Sequence, residues 1–297
     1  MATKTAMITI AGRPNVGKST LTNYLVGEKI AIVSNKPQTT RNRICGIATK
    51  GETQFVFVDT PGFHKARTKL GDYMVGVAKD SIADVDLTVL VVEPIASVGP
   101  QEEGLIEQIK SRKCPAVLAI NKIDTVEKEN LLGVIDVYSQ TGAFDAIIPI
   151  SAKTGDGVDA LLSVCDKYAI ESPFLFPEDS TTDQPERQVM AEIIREKLLW
   201  SLDREVPHGT AVEITKFSER DSGIIDIDAT IYCEKASHKG IIIGKRGEML
   251  KKISTMARTD CEKFMGTRVY LTTWVKRIGV TATFWYATSA TANNYHV

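Results

Sequence analysis

The sequence predicts an α/β protein in which a doubly wound sheet is followed by a smaller α+β domain. Up to about residue 170, short apolar runs alternate with helical patterns, which is typical of a parallel sheet covered on both faces. From residue 187 onward the order becomes a helix, two strands, a glycine-bracketed turn with a basic helix, and a last strand. A chain of 297 residues, 43% of them hydrophobic, is long enough for two such domains.

Apolar runs bounded by turn-forming residues predict the strands of the first domain. These strands are Met7–Ile10, Phe55–Val58, Leu87–Val92, Ala116–Ile120 and Ile147–Ile150. The segment Ser19–Val26 has a helical pattern. Between Tyr168 and Pro185 the sequence is rich in proline, acidic and hydroxyl residues, which indicates a linker.

The second domain is predicted to begin with an amphipathic helix over Val189–Leu199, followed by strands at Thr210–Ser218 and Ile224–Cys233. The alternation in Ile225–Ala229 is typical of a sheet with one solvated face. The predicted boundaries are 1–170 for the first domain, 171–186 for the linker, 187–276 for the second domain and 277–297 for an atypical tail.

Bulk composition argues against several classes of protein. A formal net charge of -1 gives no global attraction to nucleic acid or membrane, so any basic surface must be local. The five cysteines are scattered and never spaced C-x-x-C, which argues against a zinc site or disulfide framework and for a reducing, cytosolic compartment. The apolar runs, such as Leu87–Val92, are too short to span a bilayer.

Residues 12–19 match the phosphate-binding pattern G-x-x-x-x-G-K-[ST]. Gly12 and Gly17 allow the backbone to direct N–H groups at phosphates, because glycine accepts positive φ and close approach. Lys18 can reach the β- and γ-phosphates, and the Ser19 hydroxyl is placed to ligate Mg²⁺. With a strand before it and a helix N-terminus after it, the motif predicts a P-loop domain that binds a nucleoside triphosphate.

Two further segments are expected to sense the γ-phosphate. Asp59 ends a strand and would hold the hydration shell of the magnesium, while the N–H of Gly62 would meet the γ-phosphate. In the loop over residues 34–43, Thr40 is our first choice for the hydroxyl that completes the magnesium shell, and Thr39 is the second. Both segments are expected to become ordered with the triphosphate and to be released after hydrolysis.

Asn121-Lys122-Ile123-Asp124 predicts that the base is guanine. Asp124 can accept hydrogen bonds from the guanine N1–H and N2 amine, which adenine cannot donate. Asn121 would brace the loops, and the stem of Lys122 would lie over the base. The segment 151–153 would add a backbone N–H to the guanine O6. Such a site can discriminate between bases by about 10⁴-fold, because the wrong base leaves buried polar groups unpaired.

These interpretations define a set of candidate residues. The predicted GTP contacts are Gly12, Arg13, Pro14, Asn15, Val16, Gly17, Lys18, Ser19, Thr20, Asp59, Thr60, Pro61, Gly62, Asn121, Lys122, Asp124, Ser151, Ala152 and Lys153. The predicted catalytic residues are Lys18, Thr40 and Gly62. The predicted metal ligands are Ser19, Thr40 and Asp59.

Phe63 occupies the position where many GTPases carry a glutamine that orients water. Phenylalanine cannot polarise water, so we expect slow intrinsic hydrolysis that depends on charge stabilisation. We hypothesise that the Asn15 carboxamide ligates K⁺ beside the phosphates. We interpret His64 as a surface or packing histidine rather than a catalytic base.

A second motif, Gly244-Lys245-Arg246-Gly247, lies between an apolar run and a basic helix. In an α-β-β-α-α-β domain, a GXXG loop of this kind clamps the backbone of single-stranded RNA. An ordinary turn between helices is the alternative. Lys251 and Lys252 on the next helix would extend the contact, although they fit a solvated face equally well. The predicted RNA contacts are Gly244, Lys245, Arg246, Gly247, Lys251 and Lys252.

With both motif sets present, the chain resembles the Era family of GTPases over about Ala6–Val275. The resemblance implies a Ras-like GTP-binding domain joined to a type II KH domain. It also implies binding of the 3′ end of 16S ribosomal RNA in small (30S) subunit maturation, and a cytoplasmic protein with peripheral association with the inner membrane. We expect GTP or GDP and Mg²⁺ as bound ligands, and a monomer. The alternatives are a GTP-gated protein-interaction module without RNA and a nonspecific single-stranded DNA binder.

The tail departs from the family pattern. Residues 277–297 are rich in threonine, alanine and aromatic residues, where the family has a basic helix that contains tryptophan. One codon choice for this tail, read in a shifted frame, spells an ending close to that of the family. We therefore expect a frameshifted terminus that packs poorly.

Overall fold

The computed structural model describes residues 2–34, 44–59 and 85–278. Contacts divide the chain into two compact units, Met1–Asp183 and Gln184–Val297. The atypical tail from residue 279 onward lies outside the described residues. The exact domain boundaries given above remain predictions.

The first unit contains a mainly parallel sheet. Its strands are β1 (Lys4–Ala11), β2 (Ile44–Lys50), β3 (Thr53–Asp59), β4 (Leu87–Val92), β5 (Ala116–Ile120), β6 (Ala146–Pro149) and β7 (Ile170–Glu171). The strand order is β2-β3-β1-β4-β5-β6, in which β2 is antiparallel to β3 and the other neighbours are parallel. The short β7 pairs antiparallel with the start of β1.

Helices cover both faces of this sheet, as the alternating pattern predicts. The helices are α1 (Lys18–Val26), α2 (Pro100–Arg112), α3 (Lys128–Ser139) and α4 (Val158–Cys165). One face packs against α1 and α4, and the opposite face packs against α2 and α3. β4 and β5 are buried along their whole length, so their sequences are mainly apolar, and this pattern predicts them.

The sequence analysis assigned no residues to β2, whose apolar run contains Gly46. The structure gives a packing reason for this glycine. A Cβ atom on Gly46 would lie 2.8 Å from Val26 Cγ2 and 2.9 Å from Ile30 Cδ1. Glycine therefore allows the end of α1 and the chain beyond it to pack directly on β2.

Most of the predicted linker packs on the first unit. Phe176 contacts the buried cluster of Cys45, Val56 and Val58. The side chain of Gln54, which is fully buried, accepts hydrogen bonds from Leu175 N (2.9 Å) and Phe176 N (3.0 Å) and donates to Phe176 O (3.0 Å). We call residues 172–183 the strap.

The end of the strap binds the outer edge of β2. Ile47 N donates to Thr181 O (2.9 Å), and the Thr182 hydroxyl donates to Cys45 O (2.9 Å). Cys45 N donates to the Asp183 carboxylate (3.1 Å). The strap therefore pairs with backbone groups of an edge strand that would otherwise be free to pair with another chain.

The second unit has the element order α-β-β-α-α-β that the sequence predicts. It comprises α5 (Glu186–Ser201), β8 (Thr210–Glu219), β9 (Ile225–Cys233), α6 (Ala236–Ile243), α7 (Glu248–Met265) and β10 (Val269–Arg277). The sheet order is β10-β9-β8, with β9 parallel to β10 and antiparallel to β8. The helices pack on one face, and the alternation in β9 gives the sheet a second, more solvated face.

Within the described parts of the chain, we find no helix whose length and apolar character would let it cross a membrane. All five cysteines are free thiols.

The strap leads to a stability prediction. Replacing Gln54 with Leu removes the partner of three backbone groups of Leu175 and Phe176, at a cost of about 0.5–1.5 kcal/mol for each hydrogen bond lost. We expect a lower melting temperature and faster chymotryptic cleavage within the strap. Gln140→Leu, at an exposed position, is the control. Equal cleavage of the Gln54 variant and the unaltered protein would contradict this role.

Candidate nucleotide site and nucleic-acid interface

Parallel pairing brings the predicted nucleotide motifs to one edge of the first sheet. The loops after β1, β5 and β6 carry residues 12–17, 121–124 and 151–153. These strands are parallel and lie in the order β1-β4-β5-β6, so the three loops lie along the same carboxyl edge of the sheet. Motifs more than 100 residues apart in sequence thus form one site.

The phosphate loop is folded around the ammonium group of Lys18. This side chain is buried, and its Nζ donates hydrogen bonds to Gly12 O (3.1 Å) and Arg13 O (2.9 Å). Gly17 has φ = 101° and precedes the first turn of α1. Ser19 and Thr20 lie in that first turn, where backbone N–H groups and the helix dipole favour an anion.

Asn121 joins all three loops. Its Nδ2 donates to Val16 O (2.8 Å), and its Oδ1 accepts from Ala152 N (2.9 Å). A Cβ atom on Gly17 would lie 2.3 Å from Asn121 Nδ2, so the second glycine of the phosphate motif also makes room for this amide. The sequence assigned Asn121 a bracing role, and these hydrogen bonds are the contacts that such a role requires.

Asp124 is oriented by a neighbouring loop. Ser151 is fully buried, and its hydroxyl donates to Asp124 Oδ1 (2.8 Å) while accepting from Thr154 N (3.2 Å). Lys122 has φ = 67°, and its Nζ donates to Asn15 O (2.7 Å). The carboxylate and the lysine stem thus lie on the same loop, with each side chain held by a hydrogen bond to another loop.

A cavity of about 490 Å³ lies between α1 and the 151–153 loop. Its lining includes the predicted residues Thr20, Ala152 and Lys153. Its lining also includes Tyr24 and Lys29, which belong to no motif and which sequence reasoning missed. Pro14 lies in the phosphate loop and is half-buried.

Ion pairs surround the phosphate loop, and the sequence analysis missed their acidic members. Arg13 contacts Glu93 through Nη2 and lies 2.9 Å from Glu102 Oε1 through Nε. Glu93 also accepts from Lys122 Nζ (2.5 Å). Burial raises the pKa of nearby Tyr138 to about 12; the Glu102 carboxylate adds to that shift and Arg13 opposes it. A lone Glu after a strand has no motif that would have identified it.

Several predicted site residues lie outside the described residues. These are Thr39, Thr40, Thr60, Pro61, Gly62, Phe63 and His64. The backbone of Asp59 ends β3 in register with Ile10 of β1, but the described atoms do not include its side chain. Of the three predicted metal ligands, Ser19 is therefore the one whose side chain the structure describes. Its hydroxyl oxygen is the kind of ligand atom that Mg²⁺ prefers.

The GXXG motif forms a sharp turn between α6 and α7 in the second unit. Gly244 has φ = 72°, and a Cβ atom there would lie 2.6 Å from Met249 Cβ. Gly247 has φ = 83° and caps α7, but its missing Cβ would face open space. The two glycines are thus required for different reasons. Gly244 has a positive φ and also packs closely against Met249, whereas at Gly247 the positive φ is the whole reason.

The cationic residues of this region are exposed. Lys245 and Arg246 project from the turn, and Lys251 and Lys252 lie in the first turns of α7. The N-terminus of α7 adds backbone N–H groups next to these side chains. Ile241, which is 49% exposed, provides apolar surface on α6 just before the turn. The arrangement can hold a phosphate chain while apolar surface lies under the bases.

Two family models match the chain. A model described as a 50S ribosome-binding GTPase matches residues 7–122, and a KH domain model matches residues 205–278. The first match includes the phosphate motif and ends at Lys122 of the base motif, and the second includes the GXXG motif.

Curated relatives align with nearly the whole chain. GTPase Era of Ruminiclostridium cellulolyticum is 53% identical over 276 residues, which are 93% of each chain. GTPase Era of Clostridioides difficile is 50% identical over 275 residues, which are 92% of this chain and 93% of its own.

Two solved structures are similar over both units. Aquifex aeolicus Era, as a single-site variant bound to GDP and AlF4⁻, has a TM-score of 0.91 at 36% identity and covers 96% of this chain and 98% of its own. Era in complex with MgGDPNP and nucleotides 1506–1542 of 16S ribosomal RNA has a TM-score of 0.90 at 36% identity, with 99% of each chain covered. Both the motifs and the fold therefore agree with the identity to curated relatives: the chain belongs to the Era family of GTPases.

Proposed function

We propose that this protein is a slow GTPase that binds single-stranded RNA at the 3′ end of 16S ribosomal RNA and acts in assembly of the small ribosomal subunit. The observation that carries the proposal is the joining of the phosphate and base loops by Asn121 in one unit, together with an exposed cationic GXXG turn in the other. The relative solved with MgGDPNP and 16S ribosomal RNA supports the choice of both ligands.

In the nucleotide site, Lys18 would move from the Gly12 and Arg13 carbonyls toward the β- and γ-phosphates and offset their charge. Ser19, Thr40 and Asp59 would hold Mg²⁺, which supplies charge neutralisation at the phosphates when bound. The described residues fit a magnesium ion because the Ser19 hydroxyl lies in the first turn of α1, at the helix end that faces the predicted phosphate site.

The proposed γ-phosphate sensor consists of the segment that precedes β2 and the segment that follows β3. The N–H of Gly62 and the hydroxyl of Thr40 would contact the γ-phosphate side of the nucleotide and lose that partner after hydrolysis. Both residues lie outside the described residues. Since Phe63 has no group that can orient water, we expect hydrolysis to depend on the phosphate-binding groups and on cations.

In the second unit, the GXXG turn would hold two phosphates of the RNA while Lys251 and Lys252 add charge along α7. We further propose that the protein acts as a monomer on the small subunit. It would act in the cytoplasm, with peripheral contact at the inner membrane. The scattered spacing of the five cysteines, with no C-x-x-C pair, supports a reducing compartment.

Base selection can be tested at Asp124. Asp124→Asn replaces an acceptor with an amide that matches xanthine, which has an oxygen where guanine has an amine. We expect GTP affinity to fall by about 10³-fold or more and xanthosine triphosphate affinity to rise. Competition binding measures both affinities. A variant that still prefers GTP would refute the assignment, and Asp156→Asn serves as the charge-matched control.

RNA recognition can be tested at the GXXG turn. Gly244→Asp should abolish salt-dependent binding to a mixed-sequence RNA strand, because it adds an anion and a Cβ atom against Met249. Since that change strains the fold, Lys245→Glu is the second variant, and Lys263→Glu at the far end of α7 is its charge-matched control. We expect about tenfold weaker binding for Lys245→Glu only.

The identity of the RNA requires a separate measurement. Crosslinking in cells, followed by sequencing, should recover the 3′ end of 16S ribosomal RNA from the unaltered protein. Recovery of protein partners alone would instead favour a protein-interaction module. Equal binding of RNA and DNA strands of the same sequence would favour a nonspecific single-strand binder, because a 2′-hydroxyl contact separates the two.

The proposed K⁺ site predicts an ion dependence. A cation held by the Asn15 carboxamide would offset charge that develops on the phosphates, so hydrolysis should be several-fold faster in KCl than in NaCl at equal ionic strength. Asn15→Ala should hydrolyse GTP at the same rate in both salts. Phosphate release measures each rate, and equal rates for the unaltered protein would contradict the site.

A further inference from the structure

Glu93 lies between the phosphate loop and the base loop. It is the first residue after β4, whose neighbours in the sheet are β1 and β5. The phosphate loop follows β1, and the base loop follows β5. Strand order therefore places this carboxylate at the centre of the carboxyl edge, with one loop on either side.

The two carboxylate oxygens of Glu93 are divided between these loops. Oε2 contacts the guanidinium of Arg13, and Oε1 accepts from Lys122 Nζ (2.5 Å). Lys122 Nζ also donates to Asn15 O (2.7 Å), so the ammonium is held by the carboxylate and by the phosphate loop at once. No sequence motif or family description above assigns Glu93 a role.

We propose that Glu93 is a positioning residue for guanine nucleotides, which fixes the Lys122 ammonium against the phosphate loop so that the lysine stem covers the base. The inference rests on the proposed function, in which that stem lies over guanine. Glu93 acts through Lys122 and needs no contact with the nucleotide.

The effect of losing Glu93 should be concentrated on Lys122 rather than on Arg13. Arg13 retains Glu102, whose Oε1 lies 2.9 Å from its Nε. Among the described residues, the Lys122 ammonium retains only the Asn15 carbonyl as a hydrogen-bond partner. A long lysine side chain held by one neutral acceptor samples more conformations, and this entropy must be lost again when a base binds.

The expected loss of nucleotide affinity depends on how far solvent reaches the charged side chains. The side chains of Glu93, Arg13 and Lys122 are 26%, 30% and 36% exposed, so solvent screens the pairs only in part. We expect Glu93→Gln to weaken nucleotide binding about tenfold, mainly through faster dissociation, because affinity differences between variants of one site lie mostly in the dissociation rate. The base and its loop are common to both nucleotides, so GTP and GDP should be affected alike.

The experiment uses the full chain and a fluorescent analogue of each nucleotide in stopped flow, with hydrolysis measured at increasing GTP. Glu93→Gln should raise KM and both dissociation rates about tenfold and leave kcat at saturation unchanged. Glu103→Gln, an exposed position in α2, is the charge-matched control and should change none of these. A fall in kcat with unchanged KM would overturn the inference.

A double-mutant cycle with Lys122→Met separates positioning from a general structural role. If Glu93 acts through Lys122, Glu93→Gln should change affinity by less than about twofold in the Lys122→Met background. If the two losses multiply, or if affinity falls only in step with the melting temperature, Glu93 merely stabilises the unit and the inference is wrong. Unaltered protein that binds no GTP would instead remove the proposed function itself.

Discussion

The nucleotide site depends on one buried carboxamide. Asn121 is 2% exposed and uses its donor and its acceptor to join loops that follow three different strands. An amide is suited to this position because it can donate and accept at once without carrying a charge. Loss of the Asn121 carboxamide would leave a buried carbonyl and a buried N–H unpaired, and the three loops would no longer be joined by hydrogen bonds. Lys18, Asp124 and Lys122 lie on or beside the loops that this carboxamide joins.

The same carboxamide explains why Gly17 is constrained from two directions. Its φ of 101° suits glycine, and its missing side chain leaves the space that Asn121 Nδ2 fills. Gly17 therefore has two roles. It allows the backbone conformation of the phosphate loop, and it makes room for the contact between this loop and Asn121. This contact joins the predicted phosphate loop to the predicted base loop.

Burial of polar groups also organises the edge of the first sheet. Gln54 is fully buried within β3, and its side chain makes three hydrogen bonds to the strap besides one to Thr49 of β2. A buried amide is costly unless its partners are present, so the strap is held in one register. The strap then reaches β2 at Cys45–Ile47.

The sequence by itself determined the features whose chemistry is local. The phosphate loop, Asp124 of the predicted base motif and the GXXG turn are short patterns in which glycine or charge occurs at fixed spacing. The central strands of the first sheet are apolar along their length because both faces are buried. Tertiary structure alone decided the roles of Glu93, Gln54 and Gly46. Each is a single residue without a pattern, and its importance comes from chain segments brought together by strand order, which no local spacing records.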